Sequence, residues 1–140
     1  MKIIKPVCFT MSGCIMTDIR IDHDIPFFTY DIDYLKRWLL RVPYPITKVC
    51  MRQSCGGNTH VKVTVPMELS PIDELLIRAI LRDDARRIRG DLERYALNSK
   101  VFGLLFDIKV DEDKRVYHAG IWVDISMFVL DENKNDTFIM

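Results

Sequence analysis

The chain has 140 residues, of which 49% are hydrophobic and 29% charged, and its 20 basic residues balance its 20 acidic residues. These values predict one globular domain and exclude a mainly disordered chain, a fibre and a strongly basic nucleic-acid-binding protein. No run of 18 apolar residues occurs, and the charged, proline-containing start Met1–Pro6 is unlike a signal peptide. We therefore expect a cytoplasmic protein without a membrane partner.

Alternating apolar and polar residues predict strands near the start of the chain. The first eleven residues alternate loosely before a turn at Ser12-Gly13. Residues 15–25 alternate more strictly, which is typical of a half-buried strand. Its isoleucines share one face, and Asp22 and Asp24 lie on the other.

The next predicted elements are a helix and two strands. Thr29 or Asp31 can cap the helix, and Pro43 stops it. Residues 46–52 form the second strand. Residues 59–65 form the third, in which valines alternate with polar residues.

Residues 71–97 are predicted to be helical. The sequence Ser70-Pro71-Ile72-Asp73 is a strong helix start, and Asp83-Asp84 begins a second helical segment. A strand is predicted at 104–109, and residues 115–129 contain at least one further strand.

The order of these elements over residues 15–110 is strand, helix, strand, strand, helix, strand. It predicts an α+β fold with a ferredoxin-like or RRM-like antiparallel sheet, helices on one face and the other face open. The first and third strands are then central neighbours, and the fourth lies beside the first. Residues 111–130 add an extra C-terminal strand and residues 131–140 form a polar tail, so residues 1–140 are a single domain.

The four cysteines are a poor match to a zinc site. Cys8 and Cys14 are separated by five residues and Cys50 and Cys55 by four, and no paired knuckles or histidine pair accompany them. We expect small buried thiols in a reducing cytosol and no zinc, with a disulfide as the alternative in a hyperthermophile.

Polar residues of three predicted strands are expected to meet on the open face. Asp22 and Asp24 end the first strand, His60 and Lys62 begin the third, and Asp107 lies in the fourth. Carboxylates at one place suit a divalent metal, and the neighbouring basic groups suit phosphate.

Three motifs in this region follow one another in a recognisable order. They are Ile21-Asp22-His23-Asp24, then Arg52-x-Ser54-x-Gly56-x-Asn58-x-His60, then Leu105-Phe106-Asp107. Together they resemble the motifs of archaeo-eukaryotic primases and primase-polymerases. The resemblance implies an RRM-like catalytic half and a role in DNA replication, in an archaeal or viral protein.

The resemblance also implies roles for individual residues. Asp22, Asp24 and Asp107 become catalytic ligands of Mg²⁺ or Mn²⁺, and Ser54 and His60 become contacts to the nucleotide's phosphates. Lys62, next to His60 on its strand, is added as a nucleotide contact. Metal-dependent nucleotide binding or nucleotidyl transfer is the expected function, with a reduced or inactive relative as the alternative.

Simpler interpretations of the same residues stay open. Asp22 and Asp24 can be solvent-facing strand residues, and residues 54–58 can be a hairpin turn. The arginines between residues 78 and 94 suggest a phosphate-binding face, but the acids among them fit a mixed helical surface equally well. Trp122 is expected to pack rather than to bind bases.

Two other functions remain. One is a non-catalytic RRM-like nucleic-acid-binding domain, although its central strands offer no aromatic side chain on the open face. The other is an interaction or assembly protein, a homodimer through the apolar C-terminal strand region Val116–Leu130.

Overall fold

The structure, a computed structural model, describes residues 3–6, 15–97 and 103–130. In these residues the chain has an α+β fold with antiparallel sheets, as the sequence predicts. The turn at Ser12-Gly13, the cysteines Cys8 and Cys14 and the tail 131–140 lie outside the described residues. The elements are β1 (Ile3–Pro6), β2 (Thr17–Pro26), a 3-10 turn (Phe27–Thr29), α1 (Ile32–Leu39), β3 (Lys48–Gln53), β4 (Asn58–Val65), β5 (Met67–Leu69), α2 (Pro71–Ile80), α3 (Ala85–Ala96), β6 (Ile108–Val110), β7 (Val116–His118), β8 (Val123–Asp124) and α4 (Ser126–Val129).

The main sheet has four strands in the order β2-β4-β3-β8. Ile21 of β2 lies opposite Val61 of β4, and Met51 of β3 lies opposite the same valine from the other side. The predicted pairing of the first and third strands is therefore confirmed. The first residues of the chain, β1, pair with β5 in a separate two-stranded sheet.

The core lies on one face of the main sheet. Alternate residues of β2, β3 and β4 bury apolar side chains there, and α1 and α2 bury leucine and isoleucine against them. Burying one such side chain stabilises the fold by about 1.5–3 kcal/mol. The central members of the core are Ile19, Ile21, Val49, Val61, Val63, Leu35, Leu39, Ile77 and Leu81.

Three helices begin at a capping side chain. Ser70 caps α2, Asp84 caps α3, and Asp31 rather than Thr29 caps α1. Each accepts a hydrogen bond from a backbone N–H two or three residues further on, which satisfies a donor that the helix leaves unpaired. Among the described helices, none has the length and apolar character needed to cross a membrane.

The structure departs from the ferredoxin-like order at the fourth strand. Of residues 104–109 only the last two belong to a strand, β6, which pairs with β7 in a separate hairpin and not with β2. The turn between α2 and α3 takes the edge of β2, because the Asp22 N–H donates to Asp83 Oδ1 at 2.7 Å and the Asp22 carbonyl accepts from the Asp84 N–H at 3.1 Å. The sheet instead gains β8 beside β3, from the predicted C-terminal strand region.

The second face of the sheet is not open as predicted. The Trp122 ring lies over it, with its centroid 4.4 Å from Arg52 Cζ and 4.5 Å from Lys62 Nζ. Arg52 and His60 are each only 5% exposed. Trp122 therefore packs, as expected, but it packs against cations of the sheet.

Candidate functional site

A cavity of about 300 Å³ lies where the end of β2, the β3–β4 turn, the start of α3 and the segment 104–106 meet. We call it the β2–α3 cavity. Its wall contains four of the six residues that the sequence predicts for a site, namely Asp22, Asp24, Ser54 and His60. Its wall also contains Asp84 and the basic residues Arg86, Arg87 and Lys109.

Asp22 and Asp24 are the carboxylates that β2 contributes to this cavity. The Asn58 side-chain amide donates to Asp24 Oδ1 at 2.7 Å, which orients that carboxylate. Burial raises the pKa of the Asp22 carboxyl; Arg87 opposes this rise, and the negative charge of Asp83 adds to it. A bound cation would offset the cost of keeping the Asp22 carboxyl ionised.

His60 contributes a hydrogen-bond donor to the cavity. Arg52 Nε–H donates to His60 Nδ1 at 3.1 Å, so the neutral imidazole carries its proton on Nε2. His60 Nε2 lies 3.9 Å from Asp22 Oδ1. Burial, with the nearby charge of Arg52, lowers the pKa of His60 to about 4, so the ring is neutral at physiological pH.

Asp107, the third predicted metal ligand, does not line the cavity. Its Oδ1 accepts a hydrogen bond from Arg52 Nη1 at 2.7 Å, and this bond holds the pKa of the exposed carboxyl below its ordinary value. Among the side chains that the structure describes, no three His, Cys, Asp or Glu residues are grouped so that they could hold a metal ion. Residues 104–107 do not pair with β2, so Asp107 does not lie on a strand neighbouring Asp22 and Asp24, contrary to the strand order that the sequence predicts.

Lys62, predicted as a nucleotide contact, also does not line the cavity. Its ammonium group lies against the Trp122 ring, which contacts Arg52 as well. A cation over an indole face is attracted by the ring's negative π surface. Lys62 therefore helps to hold Trp122 on the sheet.

Ser54 belongs to the hairpin turn between β3 and β4. Its N–H donates to the Asn58 carbonyl at 2.8 Å, and its Oγ accepts from the Asn58 N–H at 2.9 Å. Gly57 has φ +90°, which only glycine adopts without strain. The hairpin interpretation of residues 54–58 is thus confirmed, and the turn also forms one wall of the β2–α3 cavity.

The sequence includes Arg86 and Arg87 in a candidate phosphate-binding face but assigns neither of them, nor Lys109, to the predicted site. Arg86 and Arg87 lie in the first turn of α3, where the helix dipole favours acids, and this exception is a further signal that could have found them. Arg87 donates to the carboxylate of Asp83 and, at 3.2 Å, to the carbonyl of Leu104. It therefore joins α3 to the segment 104–106.

A buried ion-pair network supports this wall of the cavity. Arg78 donates through Nε to Asp83 at 2.7 Å and through Nη1 to Asp91 at 2.6 Å. Burial would raise the pKa of Asp91, but hydrogen bonds from Arg78, Gly103 and Arg94 outweigh it, and the pKa lies below its ordinary value. The network links α2, α3 and the chain that follows α3.

The β2–α3 cavity thus combines three carboxylates, those of Asp22, Asp24 and the helix cap Asp84, with three basic side chains and a neutral imidazole N–H. Carboxylates bind divalent cations, and arginine, lysine and imidazole N–H groups bind phosphate oxygens. No family model, no curated protein and no solved structure matches this chain.

Proposed function

We propose that the β2–α3 cavity binds a nucleotide through its phosphates, together with a divalent cation. The observation that carries this proposal is the mixture of charges in one small space, Asp22 and Asp24 with Arg86, Arg87 and Lys109. A ligand that is itself a complex of metal and phosphate needs both kinds of group. A volume of about 300 Å³ is at the lower end of the range for small-molecule sites.

Two carboxylates are enough for such a ligand. Mg²⁺ keeps several waters and is commonly held by one or two carboxylates together with phosphate oxygens. Asp22 and Asp24 would then hold Mg²⁺ or Mn²⁺ weakly alone and much better when a nucleotide completes the coordination. The lack of a three-ligand group among the described side chains is consistent with this dependence.

The basic residues divide into two kinds. Arg87 is engaged with Asp83 and Leu104, so it contributes charge from a fixed position. Arg86 and Lys109 are exposed, and Arg86 has only a distant partner, with Nε 3.7 Å from an Asp84 oxygen. These two side chains are free to turn towards phosphate, and the His60 Nε2–H adds a neutral donor.

Nucleotidyl transfer is the reaction that fits both this ligand and the motif resemblance. In it a 3′-hydroxyl oxygen attacks the α-phosphorus, a new P–O bond forms, and the bond to the departing pyrophosphate breaks. A domain that binds nucleotide without reaction is the alternative. Pyrophosphate release in the presence of an oligonucleotide with a free 3′-hydroxyl distinguishes the two.

Thermal unfolding tests the binding itself. ATP with Mg²⁺ should raise the melting temperature, because a ligand at a hundred times its Kd stabilises the native state by about 2.7 kcal/mol, whereas Mg²⁺ alone should change it little. The variants Asp22→Asn/Asp24→Asn and Arg86→Ala/Lys109→Ala should each lose the increase. Asp33→Asn, an exposed acid on α1, is the matched control. An unchanged melting temperature of the parent protein with ATP and Mg²⁺ would overturn the proposal.

Base stacking on the central strands is not favoured. RNA-recognition domains stack bases on exposed aromatic side chains of these strands. Here the same face presents Arg52, His60 and Lys62, and the Trp122 ring lies against it. The β2–α3 cavity is the better candidate for nucleotide contact.

A second candidate function, self-association, is favoured by apolar side chains in the C-terminal part. The hairpin β6–β7 pairs with no further strand in the described residues, so its outer edges keep unpaired backbone groups. We infer that two copies of the chain associate through this region. The variant Val116→Lys should then prevent the association. Sedimentation at rising concentration tests this, and a parent protein that stays monomeric contradicts it. The exposed apolar residues are Phe106, Ile108, Val110, Val116, Ile121, Met127 and Phe128.

A further inference from the structure

A second cavity, of about 380 Å³, adjoins the β2–α3 cavity along α3. One wall is the arginine-bearing face of α3, and the other is the segment that carries Leu104 and Phe106. Arg86, Arg87, Leu104 and Phe106 line both cavities, so the two are continuous past these side chains. We call the second cavity the arginine groove.

The cations of the arginine groove form a stripe on one helix face. Arg86, Gly90 and Arg94 are spaced by four residues, so they lie above one another along the groove. The Arg86 side chain is 90% exposed, and that of Arg94 is half exposed. Two acids also line the groove: Asp91 is bonded by Arg78, by the Gly103 N–H and by Arg94 itself at 2.8 Å, and Asp84 Oδ1 lies 3.7 Å from Arg86 Nε. With their neighbour Asp83 counted, the four arginines Arg78, Arg86, Arg87 and Arg94 exceed the three acids by one, so the groove keeps an excess positive charge.

Gly90 in the middle of this stripe is not required by the fold. Glycine inside a helix is destabilising relative to alanine, and Gly90 is not among the residues with positive φ. A Cβ here would lie 3.3 Å from Arg94 Nη1, which donates to Asp91 at 2.8 Å, so alanine would force this side chain to shift. The glycine does leave the floor of the groove open, which allows a ligand's backbone to approach the helix closely.

The facing wall is apolar. Leu104 and Phe106 are 61% and 62% exposed, although each has a hydrophobic side chain. Arginines on one side and a phenylalanine ring on the other match a ligand that repeats phosphates and flat bases. We infer that the arginine groove binds the phosphodiester backbone of a single-stranded nucleic acid, with bases against Phe106. One part of the inference rests on the proposed function: the end of the bound nucleic acid would reach the β2–α3 cavity, where the nucleotide binds.

Fluorescence anisotropy with a labelled oligothymidylate of about twelve nucleotides tests this inference. Arg86→Ala/Arg94→Ala should weaken binding about tenfold or more and reduce the slope of log K against log salt by roughly 1.4 for two lost contacts. Arg89→Ala is the matched control, since Arg89 is exposed on the same helix, lies near Glu93 and lines neither cavity. It should change the affinity less than twofold. An oligouridylate of equal length tells whether RNA or DNA is preferred.

The variant Gly90→Ala distinguishes a narrowed groove from a damaged fold. The variant should keep the parent's melting temperature to within a few degrees, because the helix propensity that alanine gains offsets the displaced Arg94–Asp91 bond, and should bind the oligonucleotide several-fold more weakly, because its methyl group narrows the groove. Phe106→Ala should weaken the oligonucleotide but not inorganic polyphosphate, which has no bases. Equal affinity for both ligands in the parent protein would overturn the role of the apolar wall.

Other outcomes separate this inference from the nucleotide site. Asp22→Asn/Asp24→Asn should lose Mg²⁺-dependent ATP binding but keep the oligonucleotide. If the parent protein binds the oligonucleotide in an Arg94-dependent way but not ATP, the inference stands and the proposed function fails. If the parent protein binds ATP with Mg²⁺ but no oligonucleotide at low salt, the inference fails and the proposed function stands. Equal losses in Arg89→Ala and Arg94→Ala would also overturn it.

Discussion

Residues 15–97 and residues 103–130 are held in place by different forces. The first region buries a continuous apolar core, whereas Ile125 and Val129 are the buried residues of the second. Apart from these two side chains, which belong to the same apolar core, the second region is tied to the first by polar bonds. These run from the Gly103 N–H to Asp91, from Arg52 to Asp107, from the Gly120 N–H to the Gln53 carbonyl and from the Ile125 N–H to the Val49 carbonyl.

This difference explains where the candidate sites lie. The β2–α3 cavity and the arginine groove share the wall formed by residues 104–106, at the border between the two regions. Polar bonds near the surface contribute less than apolar burial, so the second region opens at a lower free energy than the core. A ligand can therefore enter and be covered here without any cost to the packing of β2, β3 and β4.

The largest expected effect comes from Arg78, which anchors the first region and the start of the second. Arg78→Leu removes the cation that bonds Asp83 and Asp91, and it leaves buried carboxylates with fewer partners. We expect the free energy of unfolding to fall by about 3–5 kcal/mol, measured by urea denaturation. Arg89→Leu, an exposed change on α3, should cost under about 0.5 kcal/mol. Similar values for the two variants would contradict the network's role.

A smaller effect concerns the pH dependence of stability, to which we expect the buried histidines of the first region to contribute. Burial lowers the pKa of His23, which bonds the Leu81 carbonyl and the Tyr30 hydroxyl, and the pKa of His60 is about 4. The native state disfavours protonation of both rings, while the unfolded chain takes up protons near pH 6.5. Stability is therefore complete above about pH 6.5 and declines as the pH falls towards 4. The part due to His60 is at most about 3 kcal/mol.

Urea denaturation between about pH 5 and 7.5 measures this decline. His60→Gln and His23→Gln should each flatten the pH dependence. His118→Gln, which changes an exposed ring on β7 in the second region, is the matched control variant. The raised pKa of the Asp22 carboxyl acts in the opposite direction near the acid end, so the upper part of the range is the informative one. A stability that rises as the pH falls from 7.5 to 6 would contradict the expected sign.

Much of the first region could be predicted from sequence because its signals are local. The alternation in residues 15–25 and 59–65 follows from burying one face of a strand, and Ser70 and Asp84 cap the next helices. By composition, residues 104–109 resemble a strand as closely as residues 15–25 and 59–65 do. They do not pair with β2, because the α2–α3 turn already bonds the edge of that strand at Asp22, and no local pattern reveals a contact so distant in sequence.

The candidate site was predictable to the extent that it depends on strand register. Asp22 and His60 are paired across β2 and β4, so parity alone brings them to one face. Asp107 and Lys62 were predicted at the same place, but neither lines the cavity. Asp107 accepts a hydrogen bond from Arg52, and Lys62 lies against the Trp122 ring. The arginines at the start of α3 reach the cavity only because of how α3 sits against the end of β2. The spacing of residues along a helix predicts which side chains share a face, but not which other element that face contacts.

The smallest expected effect concerns Trp122, which holds the second region to the sheet. Trp122→Ala removes the ring that lies against Arg52 and Lys62; such a contact is worth about 0.5–1 kcal/mol where the cation is exposed and about 2 kcal/mol where it is buried, as Arg52 is. Global stability should therefore fall by about 1–3 kcal/mol. The local effect should be clearer, because the Gly120 N–H bonds the Gln53 carbonyl at 2.8 Å and depends on the segment staying in place.

Hydrogen exchange measures both parts of this prediction. In Trp122→Ala the Gly120 amide should exchange at least tenfold faster, since 1.4 kcal/mol of lost protection corresponds to about that factor. Amides of β4 in the core should change only by the global loss. Phe128→Ala, which removes an exposed ring of the same region, should leave the Gly120 rate unchanged. If the amides of β4 and of Gly120 accelerate by the same factor, the two regions unfold as one unit and the contrast between them is wrong.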